Sequence, residues 1–248
     1  MRFFKKRVST DNVTLPVASK TRSTRLITAV EPKNPVSEQF RTLRTNIAFA
    51  AVSKKDIKTL LISSALPSEG KSTVTTNLAI VYAQQGKKVL LVDADLRRPT
   101  VAATFGLNGN TTSGLTNYLV DNHQKISDVI QHTTLEYLDV VTSGPIPPNP
   151  AELLGSEKMR DLVNLLKEQY DLIIFDVPPL LIVADTQVLM SIVDGVVIVV
   201  NAGKTTKNSL RRTSEILKIA QAPVLGFIYN DSSHKEKKGY GYGYGYTN

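Results

Sequence analysis

An apolar run at 57–62 that breaks into Ser-Ser-Ala-Leu-Pro-Ser-Glu-Gly-Lys-Ser-Thr at 63–73 constrains this chain more than any other stretch. The run reads as a buried strand, the loop carries Pro67 and Gly70, and a helix opens at Ser72. Strand, loop and helix in that order are the context that gives a Gly-Lys-Ser match its meaning. Backbone N–H groups of such a loop and helix start converge on a phosphate, Lys71 adds a compact positive charge, and the Ser72 hydroxyl is placed to ligate Mg²⁺. Ser68, Glu69, Gly70, Lys71, Ser72 and Thr73 are therefore the expected nucleotide-binding residues. One position departs from G-x-x-x-x-G-K-[ST]: the first glycine is Ala65.

Three carboxylates close apolar strands further along. Asp93 and Asp95 stand in Val-Asp-Ala-Asp-Leu-Arg-Arg-Pro at 92–99, and Asp176 ends the run in Leu-Ile-Ile-Phe-Asp-Val-Pro-Pro at 172–179. A carboxylate at the end of an apolar strand beside a phosphate loop holds Mg²⁺ directly or through water. Two such strand ends are one more than nucleotide binding needs, so the extra pair points to catalysis. The alternative for either Asp of the pair is to cap the turn that follows, and it suits Asp95 better than Asp93.

Between these motifs, strands expected at 88–93, 137–142, 171–176, 195–201 and 224–229 alternate with helices at 72–85, 156–169, 185–192 and 205–220. The alternation predicts an α/β fold, three layers α/β/α around a mainly parallel sheet with right-handed crossovers. Ligands of such sheets lie beyond the carboxyl ends of the strands, where the marked acids gather. The segment 99–136 is variable, and 143–150 is a rigid proline-rich loop.

The two ends read differently. Residues 1–35 are polar, without apolar period, and are expected to form a flexible arm; the domain proper is 36–230 and a tail covers 231–248. A helix over 36–53 places Phe40, Leu43, Ile47, Ala50 and Ala51 on one face. The opposite side is expected to carry Glu38, Arg41 and Arg44, a charged stripe that is either solvated or a docking surface for another copy. The tail ends in alternating Gly and Tyr, with four of the nine tyrosines at Tyr240, Tyr242, Tyr244 and Tyr246. Alternating glycine denies it a helix or a core, leaving exposed phenols.

The net charge of +8 suggests nucleic acid until it is located. Residues 1–30 hold seven Lys/Arg and one Asp, whereas 31–230 hold twenty Lys/Arg against nineteen Asp/Glu. The body is near neutral, so nucleic acid is not an expected partner. With no cysteine and only His123, His132 and His234, thiolate chemistry is excluded and a histidine metal site is not expected. No membrane span or signal peptide is visible, which gives an expectation of a cytoplasmic protein.

If a tyrosine hydroxyl is the nucleophile, removing its proton fully to an Asp before attack is uphill by roughly 8 kcal/mol. Phosphoryl transfer needs little bonding to the nucleophile, so the Asp orients the hydroxyl and takes the proton late.

Taken together, these motifs resemble the bacterial tyrosine kinases, the cytoplasmic kinase component of capsular and exopolysaccharide synthesis in Gram-positive bacteria, built on a P-loop NTPase-like fold. The resemblance spans about residues 36–248. Ala65–Thr73 looks like their Walker A, 91–99 like Walker A′ and 173–179 like Walker B; the proline-rich loop and the tyrosine tail also match. It implies an autophosphorylating tyrosine kinase using ATP and Mg²⁺. Lys71 would sit on the phosphates, Ser72, Asp95 and Asp176 on the magnesium side, and Asp93 would face the tyrosine hydroxyl. Tyr240, Tyr242, Tyr244 and Tyr246 would be the modified sites. Glu38, Arg41 and Arg44 match the E-x-x-R-x-x-R motif that builds rings in the family. The implied partners are a homo-oligomeric ring, a transmembrane activator that recruits the chain to the inner face of the membrane, and a cognate tyrosine phosphatase. Asn230 lies where related ATPases contact adenine. Two rivals stand beside this reading. A partitioning ATPase would carry a lysine where this chain has Leu66, and a nucleic-acid adaptor would leave the three acids without a task.

Overall fold

The computed structural model describes residues 26–52, 57–107 and 113–231. The tyrosine cluster at 240–246, the rest of the tail from 232 and the first 25 residues lie outside the described residues. In chain order the helices are α1 (Ile27–Val30), α2 (Pro35–Ala51), α3 (Lys71–Ala83), α4 (Val101–Thr104), α5 (Leu115–Val120), α6 (Pro150–Leu154), α7 (Glu157–Gln169), α8 (Asp185–Met190) and α9 (Lys207–Ile219). The strands are β1 (Thr59–Ser64), β2 (Val89–Asp93), β3 (Ile130–His132), β4 (Leu138–Val141), β5 (Leu172–Asp176), β6 (Gly195–Asn201) and β7 (Val224–Asn230).

Among the described residues these seven strands form one sheet in the order β3-β4-β2-β5-β1-β6-β7. Every pairing is parallel except β3 with β4. β1, β2 and β5 are buried along their whole length, as near-continuous apolar strands between two helical layers must be. Alternate residues feed two cores. Leu60, Ile62, Val89, Leu91 and Ile174 pack under α2 and α3, and Leu61, Leu90, Val92, Ile173 and Phe175 pack with Leu162, Leu166 and Leu189 of α7 and α8. The expected three-layer α/β/α fold is what forms.

Three features differ from the sequence expectations. β1 begins and ends two residues later than the apolar run suggests, because Ser63 and Ser64 still pair with Ile198 and Val199 of β6. β3 was not expected at all: Ile-Gln-His is too short and polar to announce a strand, and it is an edge strand placed by its antiparallel pairing to β4. The arm expected over 1–35 is also too long. From Leu26 the chain packs onto α3: Leu26, Ile27 and Thr28 are buried, and Thr28 donates its N–H (3.0 Å) and its hydroxyl (2.8 Å) to Asn77 Oδ1. Gln84 closes the contact by donating to the Thr28 carbonyl at 2.9 Å.

α2 starts at Pro35 behind an Asn34 cap and buries Ile47 against the core, with Phe40 and Leu43 partly buried beside it. Its apolar face is shorter than the periodicity implies, since Ala50 is exposed. The charged stripe is also divided. Arg41 holds Glu38 (2.7 Å) and the Pro32 carbonyl (2.7 Å) on the exposed side. Arg44, one helical turn after Phe40, turns inward instead and donates to the Val81 carbonyl near the end of α3 at 2.8 Å.

Candidate active site

β1 delivers the chain into the loop 65–70, and α3 leaves it at Lys71. Gly70 caps that helix with φ +90°, a left-handed conformation that L side chains avoid. A β-carbon there would also lie 2.1 Å from Asn230 Nδ2, so the position demands glycine twice over. Ala65 is a different case. Its φ is not positive, which is why alanine stands where the usual motif has glycine.

Glu69 was expected among the nucleotide-binding residues of the loop, whose backbone N–H groups face the phosphate. Its carboxylate is instead fully buried and turned into the protein: Oε2 accepts from the Leu66 N–H at 2.9 Å, and Oε1 accepts from the Thr205 hydroxyl in the β6–α9 connection. Asn230, at the end of β7, was expected near an adenine; its side chain donates to the Glu69 carbonyl at 2.9 Å. Both residues therefore hold the loop in shape from behind. Lys204 adds a third tie through the Ser68 carbonyl at 3.3 Å.

The acids meet Lys71 at the carboxyl ends of β2 and β5. Lys71 Nζ lies 3.0 Å from Asp176 Oδ1, 3.2 Å from Ser72 Oγ and 3.5 Å from Asp95 Oδ2, and the side chain is almost wholly buried. Burial alone would lower the lysine pKa, but Asp176, Asp95 and Asp93 outweigh it and raise it above the ordinary value. Thr75, one turn along α3, also donates to Asp176 Oδ1 at 3.1 Å. Asp176 Oδ2 is buried and has no hydrogen-bond partner among the described residues.

Asp93 and Asp95 both cap the turn that follows β2. Asp93 Oδ2 accepts from the Thr100 (3.0 Å) and Val101 (2.9 Å) N–H groups, and its Oδ1 accepts only a longer 3.3 Å bond from the Asp95 N–H. Asp95 Oδ1 accepts from the Arg98 N–H at 3.0 Å. Burial, and then the Asp176 charge, push the Asp93 pKa up to about 7 against the Val101 N–H and Lys71. Burial raises Asp95 too, opposed by Lys71 and the Arg98 N–H.

An open cleft of about 710 Å³ lies over this cluster, lined by Ser68, Gly70, Lys71, Ser72 and Thr73 on one wall. Asp95, Arg97 and Arg98 line it on the other. Ser68, Gly70, Lys71, Ser72, Thr73 and Asp95 thus share one opening, whereas Glu69, Asp93 and Asp176 are fully buried and do not line it. Two functional features were missed in the sequence. Thr75 carried a usable signal, four residues after Lys71 on the same helical face. The bidentate Arg97–Asp185 pair (2.6 and 3.1 Å), which ties the turn after β2 to the start of α8, carried none.

The AAA domain family profile matches residues 57–224. Among named proteins, the chain is 49% identical over 214 residues to the tyrosine-protein kinase YwqD of Bacillus subtilis, covering 85% of this chain and 89% of that one. It is 40% identical over 193 residues to the tyrosine-protein kinase CpsD of Streptococcus agalactiae, covering 78% and 82%. The chain belongs to the bacterial tyrosine kinases. The kinase is thus a protein-tyrosine kinase on a P-loop fold, unlike the partitioning and adaptor alternatives.

Solved structures agree. The chimerical protein CapA2B2 matches the kinase with TM-score 0.78 and 40% identity, over 83% of this chain and 88% of that one. The kinase domain of Escherichia coli tyrosine kinase ETK matches with TM-score 0.80 and 34% identity, over 92% and 88%. The septum site-determining protein MinD of Pyrococcus horikoshii, solved with Mg-ADP, matches with TM-score 0.61 and 26% identity, over 72% of each chain.

The kinase's own residues fit such a ligand. Among the described residues no cluster of three or more His, Asp or Glu is preformed for a metal. Nucleotide-bound Mg²⁺ does not need one, since it takes one or two carboxylates and completes its shell with phosphates and water. The unpartnered Asp176 Oδ2, Asp95 and the Ser72 hydroxyl are hard oxygen donors of that kind. No helix among the described residues is long and apolar enough to cross a membrane.

Proposed function

We propose that this kinase transfers the γ-phosphate of ATP to the tyrosines of its own C-terminal tail, Tyr240, Tyr242, Tyr244 and Tyr246, in trans within a ring of identical subunits, and that it thereby regulates capsular or exopolysaccharide synthesis. The observation that carries the proposal is the buried Asp176 Oδ2, which has no partner among the described residues and whose carboxylate lies against Lys71 of the phosphate loop. An orphaned carboxylate oxygen is costly to bury, and a cation arriving with the nucleotide satisfies it.

Bound Mg²⁺ and the loop amides would supply charge stabilisation on the phosphoryl oxygens. Ser72, Asp95 and Asp176 are the residues to hold the metal, and Lys71 shifts from the acids to the phosphates as they enter. Asp93 lies behind the cleft wall, so to hand it the proton late the acceptor hydroxyl has to reach in to Oδ1, the oxygen held by a single long bond. Its two N–H contacts to Oδ2 orient the carboxylate for that task. Glu69 and Asn230 keep the loop closed from behind rather than touching adenine.

For assembly, Glu38 is exposed and Arg41 half-buried on α2, and Phe49 is 70% exposed on the same helix. This surface fits a ring contact with a second copy; Arg44 supports it indirectly by fixing α2 to α3. The match to a chimera, CapA2B2, supports a kinase whose site is completed by a transmembrane activator that brings it to the membrane. A cognate phosphatase would reset the tail.

A phosphopeptide map of the tail after incubation with Mg-ATP tests the reading. Phosphate on 240–246 in wild type and not in Lys71→Met is the expected result. A blank in both, with the activator's cytoplasmic tail also supplied, would refute it.

A further inference from the structure

The wall of the cleft opposite the phosphate loop carries two arginines with different occupations. Arg97 is committed: both of its bonds go to the buried Asp185. Arg98 is not. Its backbone N–H donates to Asp95 Oδ1 at 3.0 Å, which fixes its Cα beside the site, while the exposed side chain has no hydrogen bond or ion pair among the described residues. It lines the cleft within a side chain's length of the acid cluster.

The tail sequence poses a charge problem that this arginine answers. Tyrosines that alternate with glycine lie on one face of an extended peptide, about 7 Å apart. Once one tyrosine is modified, its neighbour enters the site with an adjacent phosphate of about −1.5 to −2 charge. The site already holds three carboxylates, with Lys71 the cation in direct contact with two of them. Unscreened, that repulsion would restrict modification to alternate tyrosines. A guanidinium reaching out from beside Asp95 on the cleft wall is of the charge and shape that binds phosphate with two parallel bonds.

We propose that Arg98 is a specificity-determining residue that reads a phosphotyrosine two residues from the tyrosine being modified, so that the cluster is filled in progression. This rests on the reading that the tail tyrosines are the acceptors.

Two measurements on the full chain test it. In the first, labelled peptides Gly-Phe-Gly-phosphotyrosine-Gly and Gly-Phe-Gly-Phe-Gly are titrated onto nucleotide-free protein. Wild type is expected to bind the phosphopeptide roughly tenfold tighter, the size of one hydrogen bond to a charged group. Arg98→Gln is expected to abolish the difference and Arg98→Lys to restore part of it. In the second, with Mg-ATP, kcat/KM is compared for a tyrosine acceptor followed two residues on by phosphotyrosine or by Phe. The ratio is expected to exceed one in wild type and fall in Arg98→Gln. Equal phosphopeptide affinity in wild type and Arg98→Gln, or a wild-type ratio below one, overturns the inference. Absence of transfer to both peptides and to the chain's own tail, with the activator's cytoplasmic tail also supplied, overturns the tail reading itself, and this inference with it.

Discussion

Asp93 and Asp176 are register partners at the carboxyl ends of the adjacent parallel strands β2 and β5. Both follow, by two and four residues, the side chains that β2 and β5 send under α3, so both carboxylates face the helix that begins with Lys71. Their spacing is set by backbone pairing, not by rotamer choice. That pins two acids together in a buried place where mutual repulsion would otherwise separate them, and Lys71 is the counter-charge.

Glu69 should matter for loop shape more than for ligand contact. Glu69→Ala leaves the Leu66 N–H and the Thr205 hydroxyl without their acceptor, at a cost of about 2–3 kcal/mol. The melting temperature should fall and ADP should bind more weakly, with Glu69→Gln in between. Thermal melts and a fluorescent-ADP titration that showed no change for Glu69→Ala would contradict the latch.

Gly70→Ala is expected to lose nucleotide affinity and about 1–2 kcal/mol of stability from the positive φ alone. The added methyl also meets Asn230 Nδ2. Adding Asn230→Ala should therefore recover only part of the loss, because the backbone strain persists. Full recovery in the double variant would mean the clash, not φ, governs the site.

Transfer in trans is tested by mixing Lys71→Met protein with active protein lacking the tail. From 231 the extended chain reaches about 30 Å to Tyr240 and about 50 Å to Tyr246, enough to cross to a neighbour. Phosphate should appear on the Lys71→Met tails. Should those tails stay blank while wild type modifies itself, transfer is within one chain.

Asp194 gives a pH signature away from the site. Partial burial would raise its pKa, but the hydrogen bonds from Lys167 and Thr59 outweigh this and hold it below the ordinary value. A lowered folded-state pKa means the stabilisation is present above the unfolded value, near 4, and is lost as pH falls through the folded one. Asp194→Asn should cost stability at pH 7, and the gap to wild type should narrow as the pH falls below the unfolded value near 4. A gap that stayed constant from pH 7 to pH 3 would show that the charge is not the source.

The sheet was legible because the central strands are buried on both faces and therefore read as continuous apolar runs. The phosphate loop and Asp176 were legible because their spacing is tied to a strand end. What stayed hidden depends on distant partners. Glu69 sits inside a phosphate-binding motif, yet its direction is decided by Thr205, far along the chain. Arg44 was assigned to the outer side of α2, but its position one turn after Phe40 puts it within reach of the Val81 carbonyl. Leu26 to Thr28 lacked any period to mark them, since three residues buried by packing and by the bonds of Thr28 to Asn77 and Gln84 leave no pattern to count.

That last contact makes a mechanical connection. Thr28 grips Asn77, less than two turns along α3 from Lys71, and Gln84 of the same helical segment grips Thr28. The seven basic residues of 1–25 therefore lead, through a short splice, into the helix that starts with the phosphate-loop lysine. A pull on the chain at Leu26 is therefore taken up by α3 before it reaches the sheet.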